Sequence, residues 1–166
     1  VIGEEIEDLM GDPAYKFYRY IRTNENDPWV IKDVWTTKLK ANRVDLVEEN
    51  DRMVKLVFAP TIDKEWDINA HNPQEKILVR YDEVSLHKSY TITPSNFPAM
   101  SFDSTIRVNQ QNFFSLVDDR KKYEVYAKGI GLVHKFYKDN SINNFDTLNI
   151  RQGREIHYRL IEFGLE

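Results

Sequence analysis

Residues 123–138 read Tyr-Glu-Val-Tyr-Ala-Lys-Gly-Ile-Gly-Leu-Val-His-Lys-Phe-Tyr-Lys. Through the first half the odd positions Tyr123, Val125 and Ala127 are apolar, while Glu124 and Lys128 are polar. A period of two is the signature of a strand that buries one face. Past Gly129 the phase changes, and Ile130 and Leu132 carry the apolar series on even numbers. A phase slip at a glycine marks a bulge or a bend. Gly129 and Gly131 are therefore expected to bend a curved sheet. No strand-to-helix transition follows the pair, so it is not a phosphate loop.

The same period extends outward in both directions. Ile156, Tyr158 and Leu160 alternate near the C-terminus, and then Ile161, Phe163 and Leu165 take the other phase. Phe102, Ser104, Ile106 and Val108 share a face against Asp103, Thr105, Arg107 and Asn109. Further strands are expected over residues 16–23, 29–37, 44–48 and 77–84. The nearly continuous apolar run 53–58 predicts a central, buried strand. Residues 59–75 carry Pro60, Asn69, Asn72 and Pro73 and predict a loop. Residues 112–120 fit a short helix or a strand. Ile6, Leu9 and Met10 could share a face of a short helix over residues 4–10, ended by Gly11. The sum is a mainly β chain: an antiparallel meander of eight or nine strands, strongly curved or barrel-like, with at most one short helix. No repeat or flexible linker interrupts it, so residues 1–166 read as a single β-rich domain, with 1–14 a loosely packed N-terminal segment.

Composition supports sheet, because nine Tyr, nine Phe and three Trp suit pleated, half-buried surfaces. Lys and Arg number 23 against 27 Asp and Glu, a net charge of −4. The basic residues Arg19, Arg22, Arg120, Lys121 and Lys122 have acidic neighbours, which argues against nucleic acid as a partner. The absence of cysteine excludes disulfides, thiolate metal sites and a Cys nucleophile. No apolar run reaches the ~18 residues of a membrane helix. The acidic start Val1-Ile2-Gly3-Glu4-Glu5 is not a signal peptide.

The chain shows no catalytic constellation. His71, His87, His134 and His157 lack the spacing of a helix-borne zinc site. His134 and His157 fall in expected strands, where antiparallel pairing could bring them together. No serine sits in a nucleophile elbow. The acidic cluster Asp63–Asn69 begins like a calcium loop, but Ile68 and Gln74 stand where such a loop needs Gly and a bidentate Glu. No metal and no cofactor is expected. The best binding candidate is the segment 66–72, where Trp66, Asp67, Asn69 and His71 group an aromatic ring, a carboxylate, an amide and an imidazole. Such a set suits a polar ligand, through stacking and directional hydrogen bonds. The same residues also serve simply as turn formers and a core anchor.

Residues 123–138 also carry a resemblance. The Tyr-Ala-Lys-Gly-Ile-Gly-Leu-Val stretch resembles uncharacterised secreted lipoproteins of Bacteroidetes-type bacteria. Val54–Phe58 followed by Pro60, the Trp66-Asp67-x-Asn69 segment and Phe102–Thr105 are similar too, so the likeness runs from about residue 15 onward. Members of that family often have Gly where this chain has Asp63 or Lys64. The resemblance implies a β-rich fold, a place in the cell envelope and a lipidated Cys upstream of Val1, with membrane attachment through that anchor. It implies no activity and carries over no catalytic residue. The expectation is a non-catalytic module that binds a small ligand or an envelope protein. The alternatives are a hydrolase with a spatially assembled site and a structural or assembly subunit.

Overall fold

The computed structural model describes residues 1–8, 11–85 and 89–164. Its described residues form thirteen strands and no helix. Nine strand pairings in its sheets are antiparallel, which suits an alternating pattern in which one face of each sheet is wetter than the other. The chain divides into two compact units.

The first unit comprises Val1–Ala59 with Asp67–Ile77. Its sheet is a meander, β1 (Ile2–Glu7), β2 (Pro13–Ile21), β3 (Val30–Lys40), β4 (Arg43–Glu48) and β5 (Asp51–Val57), in sequence order. Residues 4–7 are thus strand and not helix. They belong to β1, with Ile6 opposite Ala14 and Glu7 opposite Pro13, and Leu9 and Met10 lie outside the described residues. Pairing with β2 outweighs a helical pattern only one turn long. The run 53–58 is not central either, because β5 is an edge strand in which only Val54 is buried. Its apolar side chains serve an edge that segment 67–77 covers. Val54 N–H donates to Ile68 O at 2.9 Å, and Asn72 Nδ2 donates to Arg52 O at 3.0 Å. An uncovered edge would invite pairing with other chains.

The core of this unit is small and partly ionic. Besides Ala14, Val54 and Ile68, it buries Lys38 and Asp45, which face each other across β3 and β4. Lys38 Nζ pairs with Asp8 and lies 3.5 Å from Asp12. Asp45 has no exposed surface. Arg43 Nε reaches its Oδ1 at 2.8 Å and Arg52 Nε its Oδ2 at 3.1 Å. Register explains the triad: Arg43 is two residues back on the same strand face, and Arg52 lies two residues from Val54, the cross-strand partner of Asp45.

The second unit comprises Pro60–Trp66 and the chain from Leu78 onward. Its main sheet has the order β13-β12-β11-β10-β7-β6, with β6 (Glu65–Asp67), β7 (Leu78–Ser85), β10 (Thr105–Phe114), β11 (Asp118–Ala127), β12 (Gly131–Asn143) and β13 (Asp146–Arg159). A two-stranded ribbon, β8 (Tyr90–Ile92) with β9 (Met100–Phe102), is separate from it. Ile92 and Phe102 from the ribbon form one buried cluster with Val125, Ala127 and Val133, flanked by Tyr90, Met100 and Tyr123.

The barrel-like curvature expected from the glycine pair is not found. No sheet closes, and the six-stranded sheet ends on β13 and β6. The phase change has another cause. Lys128–Ile130 is a tight turn closed by Ile130 N–H to Ala127 O at 3.2 Å, so β11 reverses instead of bending. Gly129 and Gly131 supply its positive φ values of 75° and 106°. A bulge follows at once, where the register shifts between Val125 and Tyr126.

Candidate functional site

The segment singled out by sequence spends its polar groups on its own shape. Asp67 Oδ1 accepts from Asn69 N–H and from Ile77 N–H, both at 3.0 Å, which ties the two ends of the loop together. The buried Asn69 donates through Nδ2 to Glu75 O at 2.6 Å and accepts from Asn72 Nδ2 at 3.1 Å. Asn72 Oδ1 in turn accepts from Gln74 N–H. His71 is exposed, and partial desolvation followed by the Arg43 charge holds its pKa below the ordinary value. Trp66 belongs to the second unit and packs on Tyr81, with ring centroids 4.8 Å apart. The structure therefore places Asp67, Asn69 and His71 in one loop and gives Trp66 to a separate core.

An open cleft of about 530 Å³ lies beside this loop, lined by Glu48, Glu49, Asp51, Met53, Asn69, Gln74, Glu75 and Ile77. Of the sequence candidates only Asn69 reaches it. If Asn69 is a strut for the loop, Asn69→Ala lowers stability by about 1–2 kcal/mol through the unpaired Glu75 carbonyl and Asn72 amide. Urea denaturation checks this, and an unchanged midpoint would return Asn69 to the ligand candidates.

Strand pairing does bring two of the histidines together. Phe136 of β12 faces His157 of β13, which sets His134 diagonal to His157 on one face. His134 Nε2 lies 3.1 Å from His157 Nδ1, and His157 Nε2 lies 3.1 Å from Glu155 Oε1. At the other end Tyr90 Oη lies 2.6 Å from His134 Nδ1. Burial pushes the Tyr90 phenol up to about 12, so it keeps its proton and donates. One assignment then satisfies every atom: Tyr90 O–H to His134 Nδ1, His134 Nε2–H to His157 Nδ1, His157 Nε2–H to the Glu155 carboxylate. Both imidazoles are neutral in it. Tyr123 meets His134 edge-on at 5.6 Å and closes the group. Sequence reasoning missed Tyr90 and Glu155. Glu155 was findable, because it shares the strand face of His157 two residues away. Tyr90 was not, because it lies 44 residues from His134. A phenol pushed up, not down, is no nucleophile, and both nitrogens of His134 are occupied. His87 lies outside the described residues.

One end of the six-stranded sheet carries a group of exposed apolar side chains. The β10–β11 and β12–β13 hairpins turn side by side there, because Asp118 pairs with Ser141. Ile142 N–H donates to Val117 O and Phe145 N–H to Leu116 O, joining the two turns. Phe113, Phe114, Leu116, Val117, Phe145 and Leu148 are all exposed, Leu148 at 92% of its full surface. Phe114 and Phe145 rest on each other at 5.8 Å. Contiguous exposed apolar groups of this kind mark interaction sites.

Among the described residues no group of three or more His, Cys, Asp or Glu is placed to hold a metal ion. No protein-family model, curated protein or solved structure matches the chain, and the functional reading rests on this geometry.

Proposed function

We propose that the chain is a non-catalytic binding module that makes contact through the apolar hairpin end of its second unit. The observation that carries this is the joined pair of turns with six exposed apolar side chains. The polar groups that Asp67, Asn69 and Asn72 spend within loop 67–77 and the fully hydrogen-bonded imidazole chain support it. A place in the bacterial envelope, through a lipid anchor ahead of Val1, is part of the proposal and is supported by the resemblance of residues 123–138.

The test is binding of the apolar dye bis-ANS to the folded chain. The wild type is expected to enhance its fluorescence, and Phe114→Asp/Leu148→Asp is expected to abolish most of that signal at an unchanged melting temperature. Both positions are exposed, so the fold loses little by the change. A double variant that binds the dye as well as the wild type would remove the surface from consideration.

A further inference from the structure

We infer that Lys40, Arg43, Arg52 and His71 form a binding site for a phosphate group on one face of the five-stranded sheet. The first observation is how the two arginines are spent. Each gives Asp45 only its Nε, Arg43 to Oδ1 and Arg52 to Oδ2. Among the described residues no acceptor meets the Nη atoms of either one. Arg52 Nη2 is buried without a partner. Both side chains keep 23% of their surface, which leaves the other Nη atoms to solvent. Two guanidinium groups that touch the two oxygens of one carboxylate are held close together. Their outer N–H groups form the planar fork that suits a second oxyanion.

The second is charge. Lys40 stands directly opposite Arg43 across β3 and β4, the last pair before the turn. Like charges in that position repel. Lys38 and Asp45 are the next pair on the same face, and Arg52 reaches Asp45 from β5. The acids there are already committed. Asp8 and Asp12 serve Lys38, Asp12 also lies 3.9 Å from Lys40, and Asp45 alone serves both arginines. Lys38, Lys40, Arg43 and Arg52 thus stand against Asp8, Asp12 and Asp45, one negative charge short. A phosphate group beside Arg43 offsets both the shortfall and the repulsion from Lys40.

The third is the loop that lies along β5. Its Asn72 Nδ2 donates to Arg52 O at 3.0 Å, which brings the preceding residue, His71, to the arginines. Desolvation, then the charges of Arg43, Arg52 and Lys40, hold the imidazole below its ordinary pKa, so His71 lies within the field of all three. It is exposed, and a neutral imidazole carries one N–H to donate. His71 takes no part in the bonds that shape the loop, unlike Asp67, Asn69 and Asn72.

Phosphorus NMR of inorganic phosphate, titrated with the whole chain at constant ionic strength, tests this. The phosphate resonance is expected to broaden saturably. The melting temperature is expected to rise with phosphate and not with sodium chloride of equal ionic strength. Glycerol phosphate, titrated in the same way, tells the two sources of the group apart: tighter binding than inorganic phosphate assigns the site to a monoester, weaker binding to the free ion. Arg43→Lys keeps a cation for Asp45 and loses the fork, and is expected to weaken phosphate about tenfold. His71→Ala is expected to weaken it about threefold by removing one donor, with the melting temperature in chloride unchanged because the position is exposed. The His71 variant keeps the test decisive if Arg43→Lys does not fold. Absence of saturable broadening would overturn the inference, as would a rise in melting temperature that chloride reproduces. So would wild-type affinity in His71→Ala together with wild-type affinity in a folded Arg43→Lys.

Discussion

Asp45→Ala is expected to cost the protein about 3 kcal/mol or more, the largest loss of any single substitution considered. The carboxylate has no exposed surface, so water cannot replace what it loses or gains. Removing it leaves Arg43 and Arg52 facing each other with their shared anion gone, and both guanidinium groups are mostly covered, with side-chain exposures of 23%. Breaking a buried pair by deleting one partner costs far more than the pair contributes net, because the remaining charge is uncompensated. Lys38, opposite Asp45 on β3, adds a third cation to the same region, and burial already holds its pKa below the ordinary value. Asp45→Asn keeps the shape and still removes the charge, so it is expected to lose nearly as much. Chemical denaturation measures both. A loss below about 1 kcal/mol for Asp45→Ala would show that the two arginines swing to water and that the triad is incidental.

The β character of this chain was legible because its cause is local. Tyr123, Val125 and Ala127 alternate with polar residues, and that pattern can bury one face only as a strand. The edge position of β5 was not legible, since a continuous apolar run fits a central strand equally well. Only the hydrogen bonds from Val54 and Asn72 to their partners in the 67–77 loop and on β5 show that the loop covers an edge. The same bonds explain why Asp67 and Asn69 looked like binding residues: closing a tight cover takes the side chains that also suit a polar ligand. The turn at 128–130 and a bend share one sequence signal, because glycine permits both. The β10–β11 turn was ambiguous for a different reason. Phe113-Phe114-Ser115-Leu116-Val117 contains none of the Gly, Asn or Asp that announce a hairpin. Its turn is set by Ser115, whose Oγ accepts from Val117 N–H and Asp118 N–H, a weaker signal than those residues give. His134 and His157 were each visible, but their contact needed the register of β12 on β13, which one sequence does not fix.

Acid should unfold this protein in a window set by His134. Burial, then its neighbours His157 and Arg159, bring its pKa down to about 4. In the unfolded chain an imidazole titrates near 6.5. Between those values the unfolded chain binds more protons than the folded one, so stability rises with pH across the window and is flat in this group above it. Lowering the pH from about 6.5 to 4 is therefore expected to remove on the order of 3 kcal/mol through this residue. The hydrogen-bond chain gives the loss a structural meaning. A proton on His134 Nδ1 would face the Tyr90 hydroxyl, which must then stop donating, and Arg159 and Arg107 add positive charge to the same part of the unit. Glu155 cannot offset this, because it already serves His157 and Lys138. His134→Phe separates the titration from the packing. It keeps an aromatic ring against Tyr123, strands the Tyr90 hydroxyl, and is expected to be about 1–2 kcal/mol less stable than the wild type near neutrality. It also loses the titration, so the two stability curves should converge as the pH falls and meet before the pH reaches about 4. Denaturation midpoints measured at intervals from neutrality to that pH decide the matter. Parallel curves would mean that carboxylates elsewhere govern the acid response and that the buried imidazole takes up its proton without penalty.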